Sequence, residues 1–214
     1  MYYKTPLVFF CGIILAGSGY MYSLFLDTHD KNIIEVLYKD GTVFDKEIRL
    51  SERNHSDYTI PMLNTMLTRN NLKVQDLNEI LVVNGPGSFT GVRIGVTIAK
   101  TLAFTLNIPI KTMTSLECMA VSVNNKDKKI PIIRDIKGVF GQLYNLNKIS
   151  EPFYKSNQEF EEYKKENNIS NDEIIDNIEY DYIEIFNYFK NVKETNPHQV
   201  NPIYIKVIEA LKND

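Results

Sequence analysis

The residues most suggestive of chemistry are Gly85, Pro86 and Gly87, a glycine-rich turn between a β-branched run and a long, nearly uncharged stretch, together with Asp27 at the end of an earlier apolar run. Exposed N–H groups at a glycine-rich helix start attract anions. A carboxylate that closes a strand is of the kind that holds a metal or a phosphate-bound water. Asp27, Gly85 and Gly87 are therefore a candidate phosphate- or nucleotide-adjacent group. The detailed motifs do not fit. A P-loop needs G-x-x-x-x-G-K-[ST], and no Lys-Ser or Lys-Thr follows these glycines in place. Gly85, Gly87 and Gly91 are spaced G-x-G-x-x-x-G, which is not the dinucleotide fingerprint. Plainer accounts stay open: a tight strand-to-helix turn for the glycines, a turn cap for Asp27. His29, His55 and His198 are too scattered for a metal site, and Cys11 and Cys118 fit neither metal nor disulfide spacing. No metal and no cofactor are expected.

The elements that must position these residues lie between Glu79 and Thr112. Ile80-Leu81-Val82-Val83 is a short buried-strand pattern. Asn84-Gly85-Pro86-Gly87 stops it, because Gly supplies unusual backbone angles and Pro cannot continue a ladder. Ser88 or Thr90 can cap a helix that runs to about Leu106 and ends at Asn107-Ile108-Pro109. Gly91, Gly95, Ala99 and Ala103 recur every four residues and form a smooth ridge. Each Gly costs a helix about 1 kcal/mol against Ala, so two on one ridge ask for a packing reason. Between Gly85 and Ile110 only Arg93 and Lys100 are charged. A helix this apolar is buried on more than one face. One face lies on its own sheet and the other needs a second helix, from this chain or from a partner.

Upstream, Tyr22–Leu26, Ile33–Tyr38 and Thr42–Arg49 read as strands, with Lys39-Asp40-Gly41 as a hairpin turn. A helix from Asp57 to about Asn71 carries Pro61 in its first turn and an apolar face with Met62 and Met66 stacked at i, i+4. Downstream, Ser115–Val123 is a short helix, Lys129–Asp135 and Val139–Leu146 are strands, and Gln158–Glu166 and Tyr182–Lys190 are helix candidates in a polar, acidic region. A second lobe starts near residue 113, giving an extension over 1–20, a first lobe over 21–112 and a second over 113–214. Residues 1–20 hold Lys4 and an apolar run from Leu7 to Ala16. The pattern is that of a weak signal peptide, too short for a membrane span; a start codon placed too early, with Met21 directly ahead of the first strand, or a dispensable extension fits better. The 214 residues are 43% hydrophobic with net charge −3, enough for one large domain or two small ones, and no basic excess points to nucleic acid as the main ligand.

The stretch NGPGSFTGVRIGVTIAKTLAFTLNIPI closely resembles the signature of the bacterial TsaB (YeaZ) family. FLDT looks like that family's first strand and turn, and RNHSDYTIPMLNTML, with His55-Ser56, looks like its first helix. Thr114-Ser115-Leu116-Glu117 resembles its short helix start. Asp135-Ile136-Lys137 with Val139-Phe140 resembles a shortened aspartate–arginine strand turn, and Asn201-Pro202-Ile203-Tyr204-Ile205-Lys206 resembles its closing motif. The resemblance covers residues 21–124 well, and 129–146 and 200–211 loosely. It implies an α/β, actin-like/ribonuclease H-like (ASKHA) two-lobed fold with mixed sheets flanked by helices. It also implies a cytoplasmic role in making N6-threonylcarbamoyladenosine at position 37 of tRNAs that read codons starting with A. The implied role is that of a non-catalytic scaffold that binds the transferase subunit TsaD, onto which the ATPase TsaE docks, with tRNA met only through the complex. TsaD carries a histidine pair that binds metal; the matching segment here, Thr112 to Ala120, has Glu117 and Cys118 but no His. The resemblance further implies that the helices over 57–71 and 88–106 pack against their counterparts in TsaD. Met62, Met66, Gly91, Arg93, Gly95, Ala99 and Ala103 are then the candidate contact residues. An ATP-binding phosphotransferase of the same fold, using Asp27 and the glycine turn, is the alternative; self-association through the same helix face is a third.

Overall fold

A computed structural model describes residues 19–51, 54–146 and 148–205. The expectation for the N-terminal extension therefore falls almost wholly outside the described residues, as does Lys206 of the closing motif.

The first sheet contains β1 (Tyr22–Asp27), β2 (Asn32–Lys39), β3 (Thr42–Leu50), β4 (Leu77–Val83) and β5 (Ile110–Met113), in the order β3-β2-β1-β4-β5. The first three strands form an antiparallel meander, and β4 and β5 run parallel to β1. Every residue of β1 is buried. That pattern belongs to a strand covered on both faces. The β2–β3 turn places Asp40 at φ 49° and Gly41 at φ 82°. Two positive φ values in succession are what a two-residue hairpin loop requires.

Two helices, α1 (His55–Arg69) and α2 (Phe89–Leu106), cover one face. Their core includes Leu24, Leu26, Leu37, Met66, Ile80, Val82, Val96 and Ala99. Helix α1 starts two residues before the expected Asp57, so Pro61 sits in its second turn rather than its first. A proline there has no N–H for the carbonyl four residues back. Helix α2 is capped by Ser88, whose hydroxyl accepts from the Gly91 N–H at 3.2 Å, and it ends at Asn107 in the left-handed region.

Two shorter helices, α3 (Ser115–Val121) and α5 (Tyr182–Phe189), cover the opposite face, where Phe25, Val36, Tyr38, Leu81, Phe186 and Phe189 pack. Between them in sequence lie α4 (Asn157–Glu166) and a second sheet of β6 (Lys128–Asp135), β7 (Gly138–Gly141), β8 (Tyr144–Asn145), β9 (Lys148–Ile149) and β10 (Phe153–Ser156), with β11 (Ile174–Ile175) beside β6. Its own small core holds Ile130, Ile132, Val139 and Phe160. The single strand expected over Val139–Leu146 is split in two. Gln142 and Leu143 leave the ladder to bond Ser150: Gln142 Nε2 donates to its carbonyl at 2.9 Å, and the Leu143 N–H donates to its hydroxyl at 3.0 Å. The chain finally returns to the first sheet, where Thr195 N–H donates to Ile110 O at 2.9 Å and Ile203 N–H to Asn84 O at 2.8 Å.

Candidate functional site

The turn after β1 organises the candidate residues. The Asp27 carboxylate is 1% exposed. It accepts from the His29 N–H at 2.9 Å and faces His29 Nδ1 at 2.8 and 2.9 Å. Burial pulls the His29 pKa down, but the charge and hydrogen bond of Asp27, with the charge of Asp30, outweigh it and hold the pKa above its ordinary value. The next residue, Thr28, donates from Oγ1 to Gly91 O at 2.7 Å. His29 O accepts from the Ser88 N–H at 2.6 Å. His55 Nε2 lies 2.8 Å from Asp30 O. One four-residue turn thus fixes the N-terminal ends of both α1 and α2.

This arrangement explains the glycines. A Cβ on Gly91 would overlap Thr28 O, one on Gly95 would overlap Thr28 Oγ1, and one on Gly87 would overlap His29 O. Gly85 sits at φ +101° against Ile203 O and Val92. The loop therefore has the sequence it has because two carbonyl-bearing segments close on it. A carbonyl oxygen is also the wrong polarity to share that space with a phosphate. Asp27, in turn, is engaged by His29 as a turn carboxylate.

The expected contact ridge is corrected by the same geometry. Gly91, Gly95, Ala99 and Ala103 face β1, β4 and the turn, and Ala99 and Ala103 are 0% and 1% exposed. Met62 and Met66 are buried at 5% and 0% in the same core. None of these six residues is on a surface of the folded chain. Of the candidate contact residues, only Arg93 is exposed.

The open face of α2 lies opposite the ridge. Between α1 and α2 runs a trough of about 440 Å³ lined by Ser56, Ile60, Phe89, Thr90, Arg93, Ile94, Thr97 and Ile98. Ile60 and Phe89 are each about half exposed. The Arg93 guanidinium lies 5.1 Å from the centre of the Phe89 ring, and Phe89 meets Tyr204 at 5.4 Å between ring centres. Sequence reasoning places Ile60 on the apolar face of the first helix, but not among the contact residues, and passes over Phe89, Ile94 and Ile98. Part of their signal was present: Ile94 and Ile98 stand four apart on the flank of the small-residue ridge, and Phe89 stands four residues before the exposed Arg93.

The segment expected to compare with a metal-binding helix is otherwise engaged. Glu117 accepts from Thr114 N–H at 2.7 Å and from Tyr188 OH at 2.8 Å. Burial pushes the Cys118 thiol well up. Among the described residues no group of three His, Cys, Asp or Glu side chains could hold a metal ion. Helix α2 alone among the described helices is long and apolar enough to cross a membrane by length and composition, and its inner stripe is core.

The two sheets, the antiparallel-then-parallel order of the first and the helices on both of its faces define an α/β protein of the actin-like, ASKHA class. Residues 48–195 match the family model of TsaD, tRNA N6-adenosine threonylcarbamoyltransferase. The chain is 40% identical over 121 residues to the tRNA threonylcarbamoyladenosine biosynthesis protein TsaB of Bacillus subtilis, covering 56% of this chain and 52% of that one. It is 33% identical to TsaB of Escherichia coli over the same length and with the same coverage. A crystal structure of a Pseudomonas aeruginosa protein with similarity to peptidase YeaZ superposes with a TM-score of 0.71 at 18% identity, covering 87% of this chain and all of that one. The chain belongs to the TsaD family, on its TsaB/YeaZ side. It spans about half the length of the curated relatives it matches.

Proposed function

We propose that this chain is a non-catalytic scaffold subunit in the synthesis of N6-threonylcarbamoyladenosine in tRNA, and that it seats a TsaD-type transferase subunit on the α1–α2 face. The observation that carries this reading is the open trough between Ile60 on α1 and Phe89, Ile94 and Ile98 on α2. An apolar patch between two helices is what a partner's helix pair would cover. The names of the curated relatives supply the pathway. The engaged state of Glu117 and Cys118 supports a chain that transfers nothing by itself. On this reading TsaE docks on the pair, tRNA is met only through the complex, and the assembly works in the cytoplasm. The first lobe, 21–112, carries the contact face. A phosphotransferase reading has lost its main support, because Asp27 and the glycine turn are taken up by the chain's own backbone.

The test is co-purification of the full chain with TsaD from the same organism, using wild type, Ile94→Glu and Thr101→Glu. An unpaired charge at Ile94 would be buried by the partner, so binding drops by about tenfold or more while the fold is kept. Thr101→Glu, exposed on α2 one turn beyond the residues that line the trough, binds as wild type. Undiminished binding by Ile94→Glu, or a wild type that does not bind TsaD, overturns the reading.

A further inference from the structure

A second cavity, of about 450 Å³, opens at the end of the first sheet opposite the glycine turn. Its walls come from the β2–β3 turn, the starts of β4 and β5, and α5 with the chain that follows it. Met21, Pro109, Phe186 and Phe189 supply the apolar side. The turn that carries Asp40 closes on Phe186, because a Cβ at Gly41 would overlap that ring. The size is within the roughly 300–1,000 Å³ of small-molecule sites. None of the residues that line this cavity lines the α1–α2 trough.

The polar lining holds three carboxylates, Asp40, Glu79 and Glu194, and two ammonium groups, Lys111 and Lys190, for a net charge of −1. Glu79 and Lys111 are largely buried, their side chains 11% and 15% exposed. Glu79 Oε1 accepts from the Ser23 hydroxyl at 2.6 Å. Lys111 is served less well. Its single partner among the described residues is Glu79 Oε2 at 3.4 Å, long against the roughly 2.7–2.9 Å of a charge-assisted hydrogen bond. An ammonium has three hydrogens to place. Asn78 Oδ1 accepts from the Tyr22 N–H at 2.6 Å, and Asn78 Nδ2 has no acceptor among the described residues. Lys190 Nζ donates to Asn187 Oδ1 at 3.0 Å and lies 5.3 Å from the centre of the Phe186 ring. On the acceptor side, Asp40 Oδ1 takes the Met21 N–H at 2.9 Å, and Glu194 has no partner among the described residues.

We propose that this cavity binds a free α-amino acid with an apolar side chain. Its carboxylate meets Lys111 and Asn78, its ammonium faces Asp40 and Glu194, and its side chain lies on the Phe186–Phe189 wall. The charges select this class. A lone anion would add to a cavity that is already net negative, and a phosphate would add more. A lone cation would leave the Lys111 hydrogens without an acceptor, and buried donors are costly when unmet. A zwitterion serves both sets of groups and leaves the net charge as it was. A peptide end carries only one of the two charges, so a free amino acid fits where a peptide terminus does not. The site stands apart from the α1–α2 trough, so it holds whether or not a partner is seated there.

The experiment is calorimetric titration of the full chain with L-phenylalanine, hydrocinnamate and phenethylamine, which share one apolar body and differ in their charges. L-Phenylalanine binds, and each of the other two binds about tenfold or more weakly, since each lacks one hydrogen-bonded charge. Lys111→Met weakens L-phenylalanine by the same factor and removes its advantage over phenethylamine. Asp40→Asn combined with Glu194→Gln, both at exposed positions, removes its advantage over hydrocinnamate and keeps that over phenethylamine. Side chains that only supported the fold would weaken all three compounds alike. No binding at about 10 mM L-phenylalanine, equal binding of the three compounds, or preferences that survive both sets of substitutions overturns the proposal. Should Lys111→Met not fold, the double variant and the compound series decide alone.

Discussion

Glu35 sits in the middle of β2, 1% exposed, on the face covered by α1 and α2, and among the described residues neither carboxylate oxygen has a hydrogen-bond partner. Across the ladder stands Glu47. Burial first, and the neighbouring Glu47 charge second, push the Glu35 pKa from 4.5 up to about 8. A carboxyl whose folded pKa is raised binds its proton more tightly in the folded than in the unfolded chain. Its contribution is most favourable below the unfolded value of 4.5 and is lost progressively as pH rises to about 8, above which the loss is constant. Over the whole window the shift corresponds to roughly 5 kcal/mol, and between pH 5 and pH 7 it removes about 2.5 kcal/mol. Glu35→Gln keeps the shape and cannot ionise. The assay is urea unfolding of both chains at pH 5 and at pH 7. Wild type loses about 2.5 kcal/mol more than Glu35→Gln over that interval. The comparison cancels every other titrating group and any constant effect of burying an amide. Parallel stability curves for the two chains would refute the reasoning, because they would mean that Glu35 finds a partner or water that the geometry does not show.

The fit of the glycine ridge is tested by Gly95→Ala, which overpacks the turn and costs about 1–3 kcal/mol by denaturant unfolding. Thr28→Ala recovers part of that loss, since Thr28 Oγ1 is the atom a Cβ at Gly95 meets; it gives no recovery for Gly91→Ala, which meets the Thr28 backbone carbonyl. A double-mutant cycle with no coupling between positions 28 and 95 would contradict the packing. Tyr38→Phe removes the hydroxyl that donates to Tyr182 O at 2.8 Å, a buried hydrogen bond, for a loss of about 1 kcal/mol in the same measurement.

The meander was legible because its signals are local. The expected strands at 22–26, 33–38 and 42–49 fall within one residue of the observed bounds at each end. Helix α2 was equally plain, since Ser88, Asn107 and Pro109 mark its ends. The start of α1 was not, because Asn54 precedes it without a capping hydrogen bond, and His55 is held by Asp30 O from the preceding turn. The break between β7 and β8 depends on the Ser150 side chain several residues away. The site was half legible for a related reason. Helix α2 carries only Arg93 and Lys100 as charges, and so apolar a pattern says that more than one face is buried without saying by what. Thr28, more than sixty residues upstream of Gly91 and Gly95, decides which stripe meets the sheet.

Once the inner stripe is assigned, the outer one needs its own explanation. A helix on a sheet ordinarily turns polar residues to water. Outward, α2 instead shows Phe89, Ile94, Ile98 and Phe104 among threonines, with Arg93 as the exposed charge. The C-terminal segment attends to the two ends of this stripe. Tyr204 stacks on Phe89, and the His198 ring stands edge-on to Phe104 at 4.9 Å. Ile94 and Ile98, between those ends, are half-buried and line the trough with Ile60, and Ile98 also packs against the core. On the proposed reading, the middle of α2 around Ile94 is where a second molecule completes the packing.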